Sequence, residues 1–203
     1  FPYTTLFRSE RRDQVEKLFD MVRDHSEKVE RAAAKGKTPL ILGGDHSLAA
    51  GSISGIAHHH HKRNEKIGVL WVDAHADMNT PQTSPSGNVH GMPLACLIGK
   101  GPRALTHIFD YAPKIDPHNV ALIGIRTLDG AEKEILRRSG IRYFTMREID
   151  ERGMHAVMKD AVAVATRGTG AIHLSFDIDG IDPASAPGVS TPVTGGLSYR
   201  EAH

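Results

Sequence analysis

Cysteine is nearly absent: Cys96 is the only one in 203 residues. An internal disulfide and a thiolate zinc cluster are thereby excluded, and the scarcity agrees with a reducing, cytoplasmic setting. Excess charge is lacking too. Lys and Arg total 25 against 24 Asp and Glu, a formal net charge of +1, which leaves no electrostatic footprint for nucleic acid or an anionic membrane. No apolar run approaches the ~20 residues of a membrane-spanning helix. The opening FPYTTLFRS has neither the charged-then-apolar order nor the small-residue cleavage site of a secretory leader. It reads as a translated sequencing adapter, so Phe1–Ser9 are set aside as non-native and residues 10–203 are taken as a partial single domain. The closing GGLSYREAH reads as a helix start with no helix after it, and the chain is expected to be a fragment. No internal repeat, linker or second domain is visible.

What remains is an ordinary globular composition, 39% hydrophobic and 24% charged, with an unusual 13 histidines. Val15, Leu18, Phe19, Val22 and Val29 recur at roughly helical spacing, which predicts a helix over 10–35 closed by Gly36. TPLILGG predicts a strand opened by Pro39, and a second helix is expected from Ser47 to about Lys62. KIGVLWV and NVALIGIR read as buried strands, IRYFT as a short one and AIHLSFDID as the last. Between them lie a helix near residues 94–98, a helix in GAEKEILRRSG ended by Gly140, and one continuous helix in IDERGMHAVMKDAVAVATRG. Strands alternating with helices imply an α/β fold whose parallel sheet is covered on both faces. Such sheets bind ligands at the carboxyl ends of their strands.

Three of those strand ends carry unusual side chains. GGDHS places His46 just past one. WVDAHADMN places Asp73, His75 and Asp77 at alternate positions, which strand geometry would aim to one face. SFDIDG places Asp177 and Asp179 two apart. Four converging aspartates without cations repel one another and are costly to desolvate. Two divalent cations cancel the four charges, and four carboxylates with two imidazoles suffice to hold them. Oxygen-dominated shells with one nitrogen each and no sulfur favour Mn²⁺ over Zn²⁺, with iron, cobalt and nickel left open by ligand type. The run His58–His61 fans around a helix end and is expected to be solvated, and His173 is expected to pack within its strand. His90 sits among hydrogen-bonding residues in a long Pro- and Gly-rich loop, residues 80–93.

GGDHS, WVDAHADMNTP, SGNVHGMPLACLIG and SFDIDGIDPASAPGVSTPVTGGLSYRE together resemble the arginase family of manganese ureohydrolases. The resemblance runs from about Arg11 to the end. It implies a three-layer α/β/α fold with a parallel β-sheet, incomplete in this chain, and a catalytic domain holding two Mn²⁺ per subunit. His46 and Asp77 would bind one ion, His75 and Asp179 the other, and Asp73 and Asp177 both. Asn79, Ser86 and Asn88 would receive the substrate's α-carboxylate, Asp129 its α-amino group, and Thr191 would also contact substrate. Thr127 stands where many arginases have an aspartate. A glutamate that meets the guanidinium in the family would lie beyond His203, and the family's first strand before residue 10.

The implied activity of the parent protein is manganese-dependent hydrolysis of L-arginine to L-ornithine and urea. Asp77 would take a proton from the attacking water and pass it to the leaving amine, while His90, whose unperturbed pKa lies near neutrality, would exchange protons with solvent. Agmatinase or formiminoglutamase chemistry would keep the metals but not the SGN loop. A two-metal phosphatase and an inactive truncated fragment are the other readings. L-arginine is the expected small-molecule partner, without nucleic acid or membrane, and the complete protein is expected to be a homo-oligomer, trimer or hexamer, in the cytoplasm.

Overall fold

The computed structural model describes residues 9–203, with side chains from residue 14 onward. Of the stretch Phe1–Ser9 read as adapter-derived, all but Ser9 lies outside the described residues. In chain order the elements are α1 (Ser9–Ala34), α2 (Leu48–His61), β1 (Lys66–Val72), α3 (Pro93–Leu97), α4 (Arg103–Thr106), β2 (Val120–Ile125), α5 (Gly130–Ser139), β3 (Arg142–Thr145), α6 (Met146–Arg152), α7 (Met154–Ala165), β4 (Thr169–Phe176) and α8 (Tyr199–Ala202). They divide into two compact units. One comprises the described residues up to Glu65 together with Asp77–Ile115, and the other comprises Lys66–Ala76 with Asp116–His203.

The second unit contains the sheet, in the order β3-β2-β1-β4, and every pairing is parallel. Its central strands are near-continuous apolar runs because both faces are covered: all of β2 and every residue of β1 after Lys66 are buried. Val69 to Val72 pair with Val120 to Ile123 on one side and with His173 to Phe176 on the other. Leu70, Val72, Ala121, Ile123 and Phe144 pack there against Ile149, Val157, Ala161 and Ala165 of the helices. Helix α5 begins in a capping box formed by Asp129 and Glu132 and ends at Gly140, whose φ of 84° is left-handed.

In the first unit, α2 is a helix of small residues, and its glycines let α1 approach. A Cβ on Gly51 would lie 2.8 Å from the Val22 carbonyl oxygen, and one on Gly55 2.5 Å from that of Ser26. Val22, Ala50, Met92, Cys96, Leu105 and Ile108 form the core below this contact. Lys62 closes it at the rim with an ion pair to Glu30 at 2.8 Å.

Three expectations are corrected. TPLILGG is not a strand: residues 38–43 have no regular structure, and Leu40 and Leu42 are each 83% exposed. Strand hydrogen bonds need a neighbouring strand, and none of the four described strands pairs with this segment. The single helix expected between the last two strands is two, α6 and α7, because Gly153 at φ 79° breaks the helical path and serves both as the end of one and the start of the next. The histidine run is solvated only in part: His58 is half-buried and stacks on Phe109 at 4.0 Å, while His61 stacks on Tyr111 at 4.4 Å and stays exposed.

Gly68 offers a test of the sheet–helix packing. A Cβ there would stand 1.8 Å from the carbonyl oxygen of Ala165 in α7. Gly68→Ala is expected to lower stability by about 1–3 kcal/mol, the cost of overpacking a filled core. A denaturation midpoint equal to wild type would contradict the packing described.

Candidate metal centre

Strands β1 and β4 lie side by side and end together, so their following loops leave the sheet at one place. The Asp177 amide donates to the Val72 carbonyl at 2.9 Å and the Asp73 amide to that of Ile123 at 3.0 Å. Gly180 permits the two loops to touch, since a Cβ there would meet the Asp73 nitrogen at 3.2 Å. Asp73 and Asp179 are 1% and 2% exposed. Each is held by donors from its surroundings. Asp73 accepts from the Trp71 indole at 3.1 Å and from the His75 amide at 2.7 Å. Asp179 accepts from the Ala74 amide at 3.2 Å and from the Thr191 hydroxyl at 2.8 Å.

His75 stands between these carboxylates, its Nδ1 3.1 Å from Asp179 and 3.3 Å from Asp73. Burial works against charge on the imidazole, but the bonds to Asp179 and Asp73 outweigh it and raise the pKa to about 10. Burial likewise works against the Asp179 anion, and His75 and Thr191 overcome it, lowering that pKa to about 2. The two carboxylates thus favour positive charge on the imidazole between them. Asp73, His75 and Asp179 each offer one ligand atom, all within 4.8 Å of one another, a donor set of oxygens and one nitrogen that fits a divalent metal ion. Asp177 is outside this group of three: its carboxylate caps the turn at residues 178–180 by accepting from the Asp179 amide at 2.9 Å.

In the first unit, Gly43 and Gly44 take left-handed φ values of 98° and 75° and turn the chain into α2. Asp45 fixes that turn by accepting from the Ser47 amide at 3.0 Å and from its hydroxyl. His46 is thereby presented to Asp77, Nδ1 to Oδ2 3.1 Å, with both side chains nearly buried. Asp77 has a left-handed φ of 52°. The alternation argument is thus corrected: β1 stops at Val72 and β4 at Phe176, and the side chains converge through turns after the strands, not along their pleat. His46, too, follows a glycine turn and not a strand.

The loop after Asp77 is organised by its polar residues. Asn79 is buried, its amide donating to the Gly91 carbonyl at 3.1 Å and its side-chain oxygen accepting from Thr83 at 3.0 Å. Ser86 accepts from the Asn88 amide at 3.2 Å, and Ser86 and Asn88 are exposed. His90 is half-buried in a turn over Val89–Gly91. Asp129 is exposed at the start of α5, where its carboxylate caps the helix. Sequence reasoning gave no part to Trp71, which bonds Asp73. It also gave none to Arg126, whose guanidinium lies under the Asp179 turn. A charged residue directly after the apolar run VALIGI is the signal that marks the second.

A family model described as the arginase family matches residues 10–203. The arginase of Bacillus caldovelox is 53% identical over 175 residues, covering 86% of this chain and 57% of that protein. The arginase of Brevibacillus brevis is 49% identical over 191 residues, covering 92% and 63%. The crystal structure of arginase from Bacillus cereus superposes with a TM-score of 0.88 at 46% identity, covering 93% of this chain and 64% of that one. The chain thus spans less than two thirds of each of these proteins.

The indole bond gives a spectroscopic test. Mn²⁺ is paramagnetic and quenches nearby fluorophores. The emission of Trp71, isolated as the difference between the whole protein and its Trp71→Phe variant, should fall saturably as Mn²⁺ is added. A difference signal indifferent to manganese would separate Trp71 and Asp73 from any metal site.

Proposed function

The chain belongs to the arginase family, and from that premise we propose that the whole protein hydrolyses L-arginine to L-ornithine and urea. The observation that carries this reading is the group of buried Asp73 and Asp179 with half-buried His75 at the strand ends, set in a sequence that also supplies Asp77, His46 and Asp177. We assign two Mn²⁺ per subunit to these six residues. His46 and Asp77 would hold one ion and His75 and Asp179 the other, with Asp73 and Asp177 completing the set. When bound, the ions supply Lewis-acid charge and lower the pKa of water at the site.

The chain's own residues have distinct parts in this proposal. Asp77 takes the proton of the attacking water and delivers it to the departing amine nitrogen, so that the C–N bond breaks with a neutral leaving group. His90 exchanges protons between the site and solvent. Asn79, Ser86 and Asn88 receive the α-carboxylate, and short polar side chains on a loop suit such a head group. Asp129 receives the α-ammonium and Thr191 contacts the substrate, while its hydroxyl also holds Asp179. No described helix is long and apolar enough to cross a membrane, and we place the protein in the cytoplasm as a homo-oligomer, trimer or hexamer.

Urea release from L-arginine by the manganese-loaded whole protein tests the activity, and elemental analysis should find two manganese per subunit. One zinc per subunit, with no stimulation by manganese, would sink the metal assignment. L-arginine should be preferred over agmatine in kcat/KM by about 10⁴-fold, because a site built to bond a carboxylate leaves polar groups unpaired when it is missing. Asn88→Ala should narrow that gap chiefly by raising KM for arginine. Equal turnover of the two substrates would refute the arginase reading.

A further inference from the structure

Arg126 follows β2 directly, and its hydrogen bonds tie the two loops that carry Asp73, His75 and Asp179. Its amide donates to the Ala74 carbonyl at 3.0 Å, in the middle of Asp73-Ala74-His75. Its guanidinium donates five bonds, and all five end on main-chain carbonyl oxygens. Nη2 reaches Asp179 at 2.7 Å and Val193 at 2.6 Å. Nη1 reaches Gly180 at 3.1 Å and Gly124 at 3.3 Å, and Nε reaches Val193 at 3.2 Å. The fork therefore clamps the chain at residues 179–180, at residue 193 just past Thr191, and at residue 124 of the sheet. Thr191 in turn donates to the Asp179 carboxylate at 2.8 Å.

A second feature keeps the guanidinium in this place. Gly196 packs against it so closely that a Cβ would lie 2.6 Å from Nη2 and 2.8 Å from Cζ. Asp182 fixes that glycine by accepting from the amides of Gly195 and Gly196 at 2.8 and 3.1 Å. A half-buried cation that spends every hydrogen bond on carbonyl oxygens is suited to fixing backbone. Burial lowers the Arg126 pKa, with Asp179, Asp182 and Asp73 opposing. A lysine could keep the charge, but its single ammonium cannot span carbonyls on three segments.

We propose that Arg126 is the positioning residue for Asp179, setting that carboxylate and its Thr191 partner at the metal site by clamping the main chain around residues 124, 179–180 and 193. The inference rests on Asp179 being a metal ligand, as assigned above. It distinguishes Arg126 from a residue that merely stabilises the fold, because positioning acts on one metal ion and stability acts on both.

Calorimetric titration of the metal-free whole protein with Mn²⁺, with thermal melting of the same samples, tests it. R126K should weaken one of the two ions by about 10–100-fold, the usual cost of losing a residue that orients a ligand, and leave the other within about twofold. The affected ion should be the one lost in D179N, and R126K added to D179N should not weaken the remaining ion further. G196A keeps the arginine but displaces its fork, and it should reproduce the selective loss. Wild-type affinity for both ions in R126K and G196A would overturn the inference, as would equal weakening of both. A wild-type protein that takes up no manganese would overturn the metal assignment itself, and the inference with it.

Discussion

Every feature of the site follows from the need to balance carboxylates packed at the end of a buried sheet. Asp73 and Asp179 are almost wholly removed from water, and two anions so placed are stable only with a cation between them. In the structure His75 stands between them, its Nδ1 3.1 Å from Asp179 and 3.3 Å from Asp73, and its bonds to both raise its pKa to about 10. The same positions suit a divalent ion, with the imidazole nitrogen turning from a donor to Asp179 into a ligand beside it. Buried carboxylates so placed favour positive charge at this spot.

The fold makes that requirement by adjacency. Because β1 and β4 pair in parallel, their carboxyl ends coincide, and the loops that follow must share one small volume. Gly180 lets them touch and Gly124 leaves room beneath, where a Cβ would meet the Asp73 carbonyl oxygen at 3.3 Å. Leu197, packed in the core, closes the same region through a parallel bridge with Ile181. The apolar strands thus position the polar loops, and the site's precision is inherited from core packing more than from the loops themselves.

Much of this was legible in the sequence, for identifiable reasons. KIGVLWV and NVALIGIR read as buried strands because burial on both faces leaves no polar alternation to confuse with a helix. The stop of α5 at Gly140 is local chemistry and was read correctly, whereas the capping box of Asp129 and Glu132 was not read. TPLILGG has the composition of a strand, yet pairing is decided by distant chain that composition does not encode. The grouping of Asp73, His75 and Asp179 was anticipated by their spacing, but for an incomplete reason, since turns and not the pleat bring them together. Arg126 was invisible as a positioning residue because all five guanidinium bonds go to carbonyls of residues up to 67 positions away. No side-chain motif records that kind of contact.

Anomalous scattering at the manganese absorption edge, from crystals of the manganese-loaded whole protein, tests the central claim most directly. The account predicts two peaks per subunit, one against His75 and Asp179 and the other against His46 and Asp77. A map without manganese peaks, with His75 still bonded to Asp179 at saturating manganese, would show that His75 alone partners these carboxylates and would contradict it.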